Sequence, residues 1–162
     1  MIRRESRSVE PVLPAYAELQ VTTNFSFLRG ASHADELVAQ AKALGLAAIA
    51  VTDRNTLAGV VRAHTAAKEA GLRLVVGARF DIADGPSLLC LPKDRAAYGR
   101  LSRLISLGQG RAQKGQCHLM LADVAAHAQD QILIVLPPDT WDWREVSIHP
   151  AYVEDDHLSA GG

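Results

Sequence analysis

The fold of this chain is decided by the stretch AAIAVTDR at residues 47–54. Its first five residues, Ala47 to Val51, are all apolar, and such a short uninterrupted run is typical of a strand that is covered on both faces. The run ends at the polar group Thr52-Asp53-Arg54. A buried strand that delivers polar side chains at its carboxyl end favours a parallel α/β fold whose functional residues lie in the loops after the strands.

A helix is predicted on each side of this strand. On the amino-terminal side Ser32 is a good N-cap with Asp35 three residues later, and Gly45 marks the end of the helix. One face of that helix carries four apolar residues: Leu37, Val38, Ala41 and Leu44. On the carboxyl-terminal side a second helix is expected from about residue 56 to residue 70, where Gly71 closes it.

Further strands complete the pattern at residues 16–21 and 72–76. The order strand, helix, strand, helix, strand implies parallel strands joined by crossover helices, so the fold class is α/β. The later elements are expected in this order: a strand at 87–91, a helix capped by Asp94 and running to Leu107, a loop at 108–116, a short helix near Asp123, and a strand at 131–136. Residues 1–15 are interpreted as a leader, and residues 139–162 as a divergent, poorly specified tail.

The composition is that of one ordinary folded domain. Of the 162 residues 48% are hydrophobic and 22% are charged, and the net charge is −1, which is typical of soluble globular proteins. No run approaches the ~18 apolar residues of a membrane span, and no apolar stretch follows the basic start. We therefore expect a cytoplasmic protein with no membrane partner. Cys90 and Cys117 fit neither a zinc-ligand pair nor a disulfide framework, so buried or incidental thiols are expected.

The loops after the three parallel strands carry few groups that could bind a metal. These loops, at 20–30, 52–57 and 77–81, contain hydrogen-bonding and cationic side chains but no histidine. The polar side chains that stand out are Gln20, Thr22, Thr23, Asn24, Arg29, Asp53, Arg54 and Arg79. A metal site is not indicated by these residues.

Several blocks of sequence in these loops resemble a known family in both order and spacing. The blocks lie at 24–32, 48–54, 57–60 and 75–79, with further agreement at 85–90, 98–102 and 114–117. They are similar to the start of the polymerase-and-histidinol-phosphatase (PHP) domain at the N-terminus of bacterial family C DNA polymerases, and in particular to the error-prone branch. The resemblance covers residues 16–138 and implies the N-terminal part of a PHP-type (β/α) barrel.

The resemblance also implies where a metal site would lie. In metal-binding members the first strand carries a His-x-His pair, which here falls on Gln20 and Thr22. The acid of the following loop falls on Arg29, the histidine after Thr-Asp on Arg54, and the glutamate after Gly-Ala on Arg79. Arginine stays protonated and cannot ligate a cation. We therefore expect no metal, no other cofactor and no metal-dependent phosphoesterase activity in this chain.

Two interpretations of the arginines remain open. They could pair with Asp53 and neighbouring carboxylates to rebuild a structural core, or they could bind a phosphate or a DNA backbone, since the planar guanidinium matches phosphate oxygens. Asp53 is the one position that matches a family acid. It could be a remnant metal ligand, or it could cap the turn or helix that follows it.

Three functions are compatible with these residues, so whether the chain is an enzyme stays open. The first is a non-catalytic scaffold of an error-prone DNA polymerase, which the resemblance links to translesion synthesis, DNA repair and replication. The others are a stand-alone metal-dependent phosphatase or exonuclease, and a small module that binds phosphate or DNA.

The expected partners follow from the first of these functions. They are the rest of a DNA polymerase or its accessory proteins, with DNA reached through the parent enzyme. Mg²⁺ is expected only in the parent polymerase core, which needs acids such as an Asp-x-Asp pattern to hold it. This chain has no such pattern and little length for further domains, so we expect that, if it is complete, it does not polymerise DNA itself. A truncated or frameshifted product is the alternative that stays open.

Overall fold

A computed structural model describes residues 15–137. All but the last residue of the predicted leader, and the whole predicted tail at 139–162, lie outside the described residues. The elements run in this order: β1 (Ala17–Val21), α1 (Ala34–Ala43), β2 (Ala48–Val51), α2 (Val60–Ala70), β3 (Arg73–Val76), β4 (Ala78–Phe80), β5 (Ser87–Pro92), α3 (Arg95–Gly110), α4 (Leu121–Ala126) and β6 (Gln131–Leu136). Within this part of the chain, none of the helices has the length and apolar character needed to cross a membrane.

The first three strands form a parallel sheet in the order β1-β2-β3. The central strand β2 is buried along its whole length, as its uninterrupted apolar run predicts. Its register with β3 places Ile49 beside Leu74 and Val51 beside Val76. Helix α1 connects β1 to β2 and helix α2 connects β2 to β3, so the predicted crossover arrangement is confirmed for this sheet.

The second sheet differs from the expectation of parallel strands. Its order is β4-β5-β6, and both pairs of neighbouring strands are antiparallel. The short loop at 81–86 between β4 and β5 allows a hairpin connection but leaves no room for a crossover helix. The sequence pattern does not reveal β4, because this strand has three residues and follows β3 after the single residue Gly77.

The two sheets are joined at Gly77. Its backbone N–H donates to the carbonyl of Val51 at 3.2 Å, and further along the Arg79 N–H donates to the carbonyl of Asp53 at 3.0 Å. The Asn55 N–H donates in turn to the carbonyl of Arg79 at 2.8 Å. A side chain at position 77 would collide with side-chain and backbone atoms of β5. Glycine is needed here so that the second sheet can lie against the end of the first.

The start of α1 is one residue later than expected. Its N-cap is His33 and not Ser32, because the backbone N–H of His33 donates to Glu36 Oε2 at 2.8 Å. The end is marked by Gly45, as predicted, with φ of +72°. Leu44, which was expected on the apolar face, is 65% exposed because it lies at the C-cap, past the last buried turn.

Two other helix boundaries also differ from the expectation. Helix α2 begins at Val60 instead of residue 56, because residues 56–60 form turns in which the Ala58 N–H donates to the Thr56 hydroxyl and the Val60 N–H donates to the Leu57 carbonyl, each at 3.1 Å. Its predicted stop at Gly71 is confirmed by a φ of +61° at that residue. Helix α3 is capped as predicted, with Asp94 Oδ1 accepting a bond of 2.7 Å from the Ala97 N–H, and it continues to Gly110. The loop predicted at 108–116 therefore begins at residue 111 and continues to residue 120.

Two larger apolar cores hold the sheets and helices together. The first packs α1 and α2 against the parallel sheet and consists of Val38, Ala41, Ile49, Ala67 and Leu72. The second lies between the antiparallel sheet and α3 with α4, and includes Phe80, Leu88, Leu101, Leu104, Leu119 and Val124. A fully buried side chain such as Phe80 contributes about 1.5–3 kcal/mol relative to exposure. The last strand, β6, keeps three apolar side chains exposed: Ile132, Leu133 and Val135.

Candidate functional site

The loops after β1 and β2 meet at a buried carboxylate, Asp53. This residue is 1% exposed. Its Oδ1 accepts hydrogen bonds from the Thr23 N–H and the Ser26 hydroxyl, and its Oδ2 accepts one from the Thr23 hydroxyl, each at 2.8 Å. The Ser26 hydroxyl in turn accepts a bond of 2.9 Å from the Arg54 N–H. Asp53 therefore fixes the loop after β1 and does not cap α2, and both of its oxygens are engaged.

Asp81 ties two of the arginines together. Arg54 Nη1 lies 2.7 Å from Asp81 Oδ2, and Arg79 Nε lies 3.4 Å from Asp81 Oδ1. The Ser87 hydroxyl donates to the same Oδ1 at 2.8 Å. The arginines thus pair with a carboxylate near Asp53 and not with Asp53 itself. Sequence reasoning did not single out Asp81, although its position two residues after Arg79 places both side chains on one side of an extended chain.

Arg29 completes a small cavity with these two arginines. The cavity has a volume of about 170 Å³, and its fourth lining residue is Thr22. Arg29 is exposed and forms no ion pair with any of residues 15–137. Gln20 is exposed on β1 and does not line the cavity. The structure therefore brings Thr22 and the three arginines together and leaves Gln20 outside.

The side chains of this cavity do not fit a divalent cation. Guanidinium groups are always protonated and only donate hydrogen bonds, whereas such ions require carboxylate, imidazole or thiolate ligands. Among residues 15–137, no three His, Cys, Asp or Glu side chains lie close enough to hold a metal ion. The cavity is suited instead to an oxyanion, because three cations and a hydroxyl line it.

The two thiols do not add an activated nucleophile to the site. Cys90 is buried in β5, and burial raises the pKa of its thiol to about 12. Burial also raises the pKa of the half-buried Cys117 thiol. Both cysteines are free. Because the thiolate is the reactive form, neither thiol is activated near neutral pH.

Comparison with known proteins identifies the family. The PHP domain family matches residues 18–140, in agreement with the resemblance that the sequence blocks carry. An error-prone DNA polymerase of Caulobacter vibrioides is 59% identical over 130 residues, which are 80% of this chain and 12% of that protein. Error-prone DNA polymerase 3 of Agrobacterium fabrum is 58% identical over 123 residues, covering 76% of this chain and 11% of that protein. The chain thus matches only about an eighth or less of the length of these relatives.

Solved structures agree with the expected fold class. A putative metal-dependent phosphoesterase from Bifidobacterium adolescentis superposes with a TM-score of 0.52 and 27% identity, over 60% of this chain and 34% of that protein. An amidohydrolase from Chromobacterium violaceum, solved with bound sulfate and no metal, superposes with a TM-score of 0.51 and 26% identity over the same shares. The α/β architecture is that of a partial PHP barrel. The chain therefore belongs to the PHP domain family, and its sequence is of the kind found in error-prone DNA polymerases.

Proposed function

We propose that this chain is a non-catalytic, scaffolding PHP domain of an error-prone DNA polymerase. The observation that carries the proposal is the pairing of Arg54 and Arg79 with Asp81. These arginines occupy positions where metal-binding family members carry ligands, and here they are bonded within the chain. The site is a degenerate metal site in which a protein-only ion-pair network replaces the metal cluster.

Electrostatics supports the loss of metal binding. Two unit charges about 4 Å apart interact by about 4 kcal/mol at an effective dielectric constant near 20, and a divalent ion doubles that value. A metal ion in the small cavity would face three guanidinium groups, and among the described residues no carboxylate lines the cavity. Arg54 and Arg79 already share the carboxylate of Asp81, so repulsion outweighs attraction.

The wider role is proposed from the relatives' names. In an error-prone DNA polymerase the domain would pack against the polymerase core, where Mg²⁺ supports nucleotidyl transfer during translesion synthesis, DNA repair and replication. The partners would be the remaining polymerase domains and accessory proteins, in the cytoplasm, with DNA bound through the whole enzyme. The apolar side chains exposed on β6 provide a surface on which such packing could occur.

The test is a metal and activity assay on the full chain. Zn²⁺, Mn²⁺ and Mg²⁺ are offered in turn, bound metal is counted, and phosphoesterase turnover is measured beside the variant Arg54→His/Arg79→Glu. An Arg73→His variant is the control, since Arg73 is exposed at the opposite end of β3. We expect neither bound metal nor turnover in the unmodified chain. Stoichiometric metal with metal-dependent turnover there would overturn the proposal.

A second candidate function is oxyanion binding in the small cavity, favoured by its three arginines and by the sulfate reported in the amidohydrolase structure. Sulfate should then raise the melting temperature more than chloride at equal ionic strength. Arg79→Ala should remove the difference, because Arg79 lines this cavity but not the larger cleft described below. Equal effects of the two salts would contradict oxyanion binding.

A further inference from the structure

A larger cleft lies next to the small cavity. It has a volume of about 610 Å³, within the range of pockets that hold organic ligands. One wall is the loop after β1, the floor is the loop after β2, and the other wall is the end of α3 with the segment that follows it. The lining residues are Phe25, Ser26, Phe27, Arg29, Arg54, Asn55, Thr56, Gln109, Gln113, Lys114, Gly115 and Gln116.

The charge of the cleft is entirely positive. Three of its lining residues are cations, Arg29, Arg54 and Lys114, and none is an aspartate or glutamate. Arg54 is held by Asp81. Arg29 and Lys114 are exposed, and within residues 15–137 neither forms an ion pair. A chain with a net charge of −1 thus concentrates unneutralised cations here, which is the electrostatic signature of a polyanion site.

Two phenyl rings face the same cleft. Phe27 is 85% exposed and Phe25 is 39% exposed. The guanidinium of Arg62 lies 5.8 Å from the centroid of the Phe25 ring, so that ring is supported from outside the cleft. Exposed aromatic rings beside cations are the arrangement on which unpaired bases stack, and stacking is available to every base because each has a π-face.

The floor of the cleft is tied to its α3 wall through Asn55. Gln109 Nε2 donates to the Asn55 carbonyl at 3.0 Å and joins the floor to α3. Arg29 lies on the wall formed by the loop after β1, and Lys114 lies on the opposite wall after α3, so each wall offers one cation to a phosphate.

We propose that this cleft binds single-stranded nucleic acid. Phosphates contact Arg29 and Lys114, and a base stacks on Phe27. Duplex nucleic acid is not the ligand, because its bases are already stacked and cannot cover an exposed phenyl ring. This activity goes beyond the scaffolding role, and it does not depend on whether the small cavity holds a metal or an oxyanion.

The experiment is fluorescence anisotropy of the full chain with a labelled oligothymidylate roughly ten nucleotides long, within the range of known single-strand sites. An abasic strand with the same number of phosphates, an oligouridylate and a duplex are run in parallel. The variants are Phe27→Ala, Arg29→Ala and Lys114→Ala. The controls are Leu44→Ala, which removes another exposed apolar side chain, and Arg73→Ala, which removes another exposed cation.

We expect Phe27→Ala to weaken binding of the oligothymidylate by roughly fivefold to a hundredfold, the effect of losing one stacked base. It should leave binding of the abasic strand unchanged. Arg29→Ala should reduce the slope of log K against log salt by about 0.7, the value for one phosphate contact on a single strand. Binding of the oligouridylate with equal affinity would identify the shared base and phosphate chemistry as the recognised feature.

Three results would overturn the proposal: no binding of any strand, tighter binding of the duplex than of the single strand, or cleft variants that behave like the two controls. Circular dichroism spectra of each variant show whether it is folded. All substituted side chains are exposed, so loss of binding without loss of structure reports on the cleft itself.

Discussion

Replacing Asp53 with alanine should destabilise this domain strongly, because the carboxylate is buried and three donors from another loop depend on it. A hydrogen bond to a charged group contributes about 1.5–3 kcal/mol, and each donor left without a partner costs about 1–3 kcal/mol. These contributions are not additive, and we expect a loss of about 3–5 kcal/mol. Since such a domain has a total stability of about 5–15 kcal/mol, the variant would be close to unfolding.

Asparagine at the same position provides a graded test. Its remaining oxygen can still accept from the Thr23 N–H and the Ser26 hydroxyl, which both bond to Oδ1 in the unmodified chain. The amide nitrogen would face the Thr23 hydroxyl, which already accepts a bond of 3.1 Å from the Phe25 N–H. One interaction is therefore weakened and two are kept, and we expect Asp53→Asn to lose about 1–2 kcal/mol.

The assay is urea unfolding of the full chain at neutral pH, followed by far-ultraviolet circular dichroism and analysed by linear extrapolation. Glu69→Ala is the control, because Glu69 is exposed on α2 and its loss should change stability by less than about 0.5 kcal/mol. If Asp53→Ala were within about 1 kcal/mol of this control, the carboxylate would not be the anchor of the loop, and the argument from its hydrogen bonds would be refuted.

Four further predictions concern other contacts in the domain. In a double-mutant cycle measured by urea unfolding, Asp81→Ala and Arg54→Ala should show a coupling free energy of about 0.5–2 kcal/mol. This coupling should shrink as salt is added. Additive effects of the two substitutions would exclude the ion pair as a stabilising contact. Gly59→Ala should lower the free energy of unfolding by about 1–3 kcal/mol, because the new Cβ would lie 2.5 Å from Oδ2 of the buried Asp53. An unchanged melting temperature would contradict this close approach. Burial raises the pKa of the Cys90 thiol from 9.0 to about 12. As the pH rises, the thiol therefore loses its proton in the unfolded chain before it does so in the folded chain. The free energy of unfolding should then fall between about pH 9 and pH 12. A Cys90→Ala variant should lose that part of the pH dependence. A thiol reagent near neutral pH should modify Cys117 before Cys90, and equal rates would argue against burial of Cys90.

The parallel half of the fold could be predicted because its signals are local. The apolar run of β2, and the glycines that end α1 and α2, lie within short windows of sequence. The antiparallel half of the fold was harder to predict from the sequence. Strand β4 is too short to show a period, and the antiparallel pairing of β5 with β6 joins segments that are distant in sequence. Such pairing depends on tertiary packing, which a local pattern does not contain.

The candidate site, like the fold, could be predicted from the sequence only in part. Its position followed from the rule that loops after parallel strands carry functional side chains, and the three arginines do line one cavity. The carboxylate that holds two of them, Asp81, was missed even though its spacing from Arg79 was visible in the sequence. The larger cleft could not be predicted, because it depends on a contact between Gln109 and Asn55, which are 54 residues apart.

The junction at Gly77 also bears on how the domain unfolds. Each sheet has its own apolar core, which would allow two halves to open independently. However, the main chain runs from β3 into β4 through one residue, and the amides of Arg79 and Asn55 bond across that boundary. Separating the halves would break these bonds and expose the inner ends of both cores at once. The domain should therefore behave as one cooperative unit, in which loss of either core removes the support of the other.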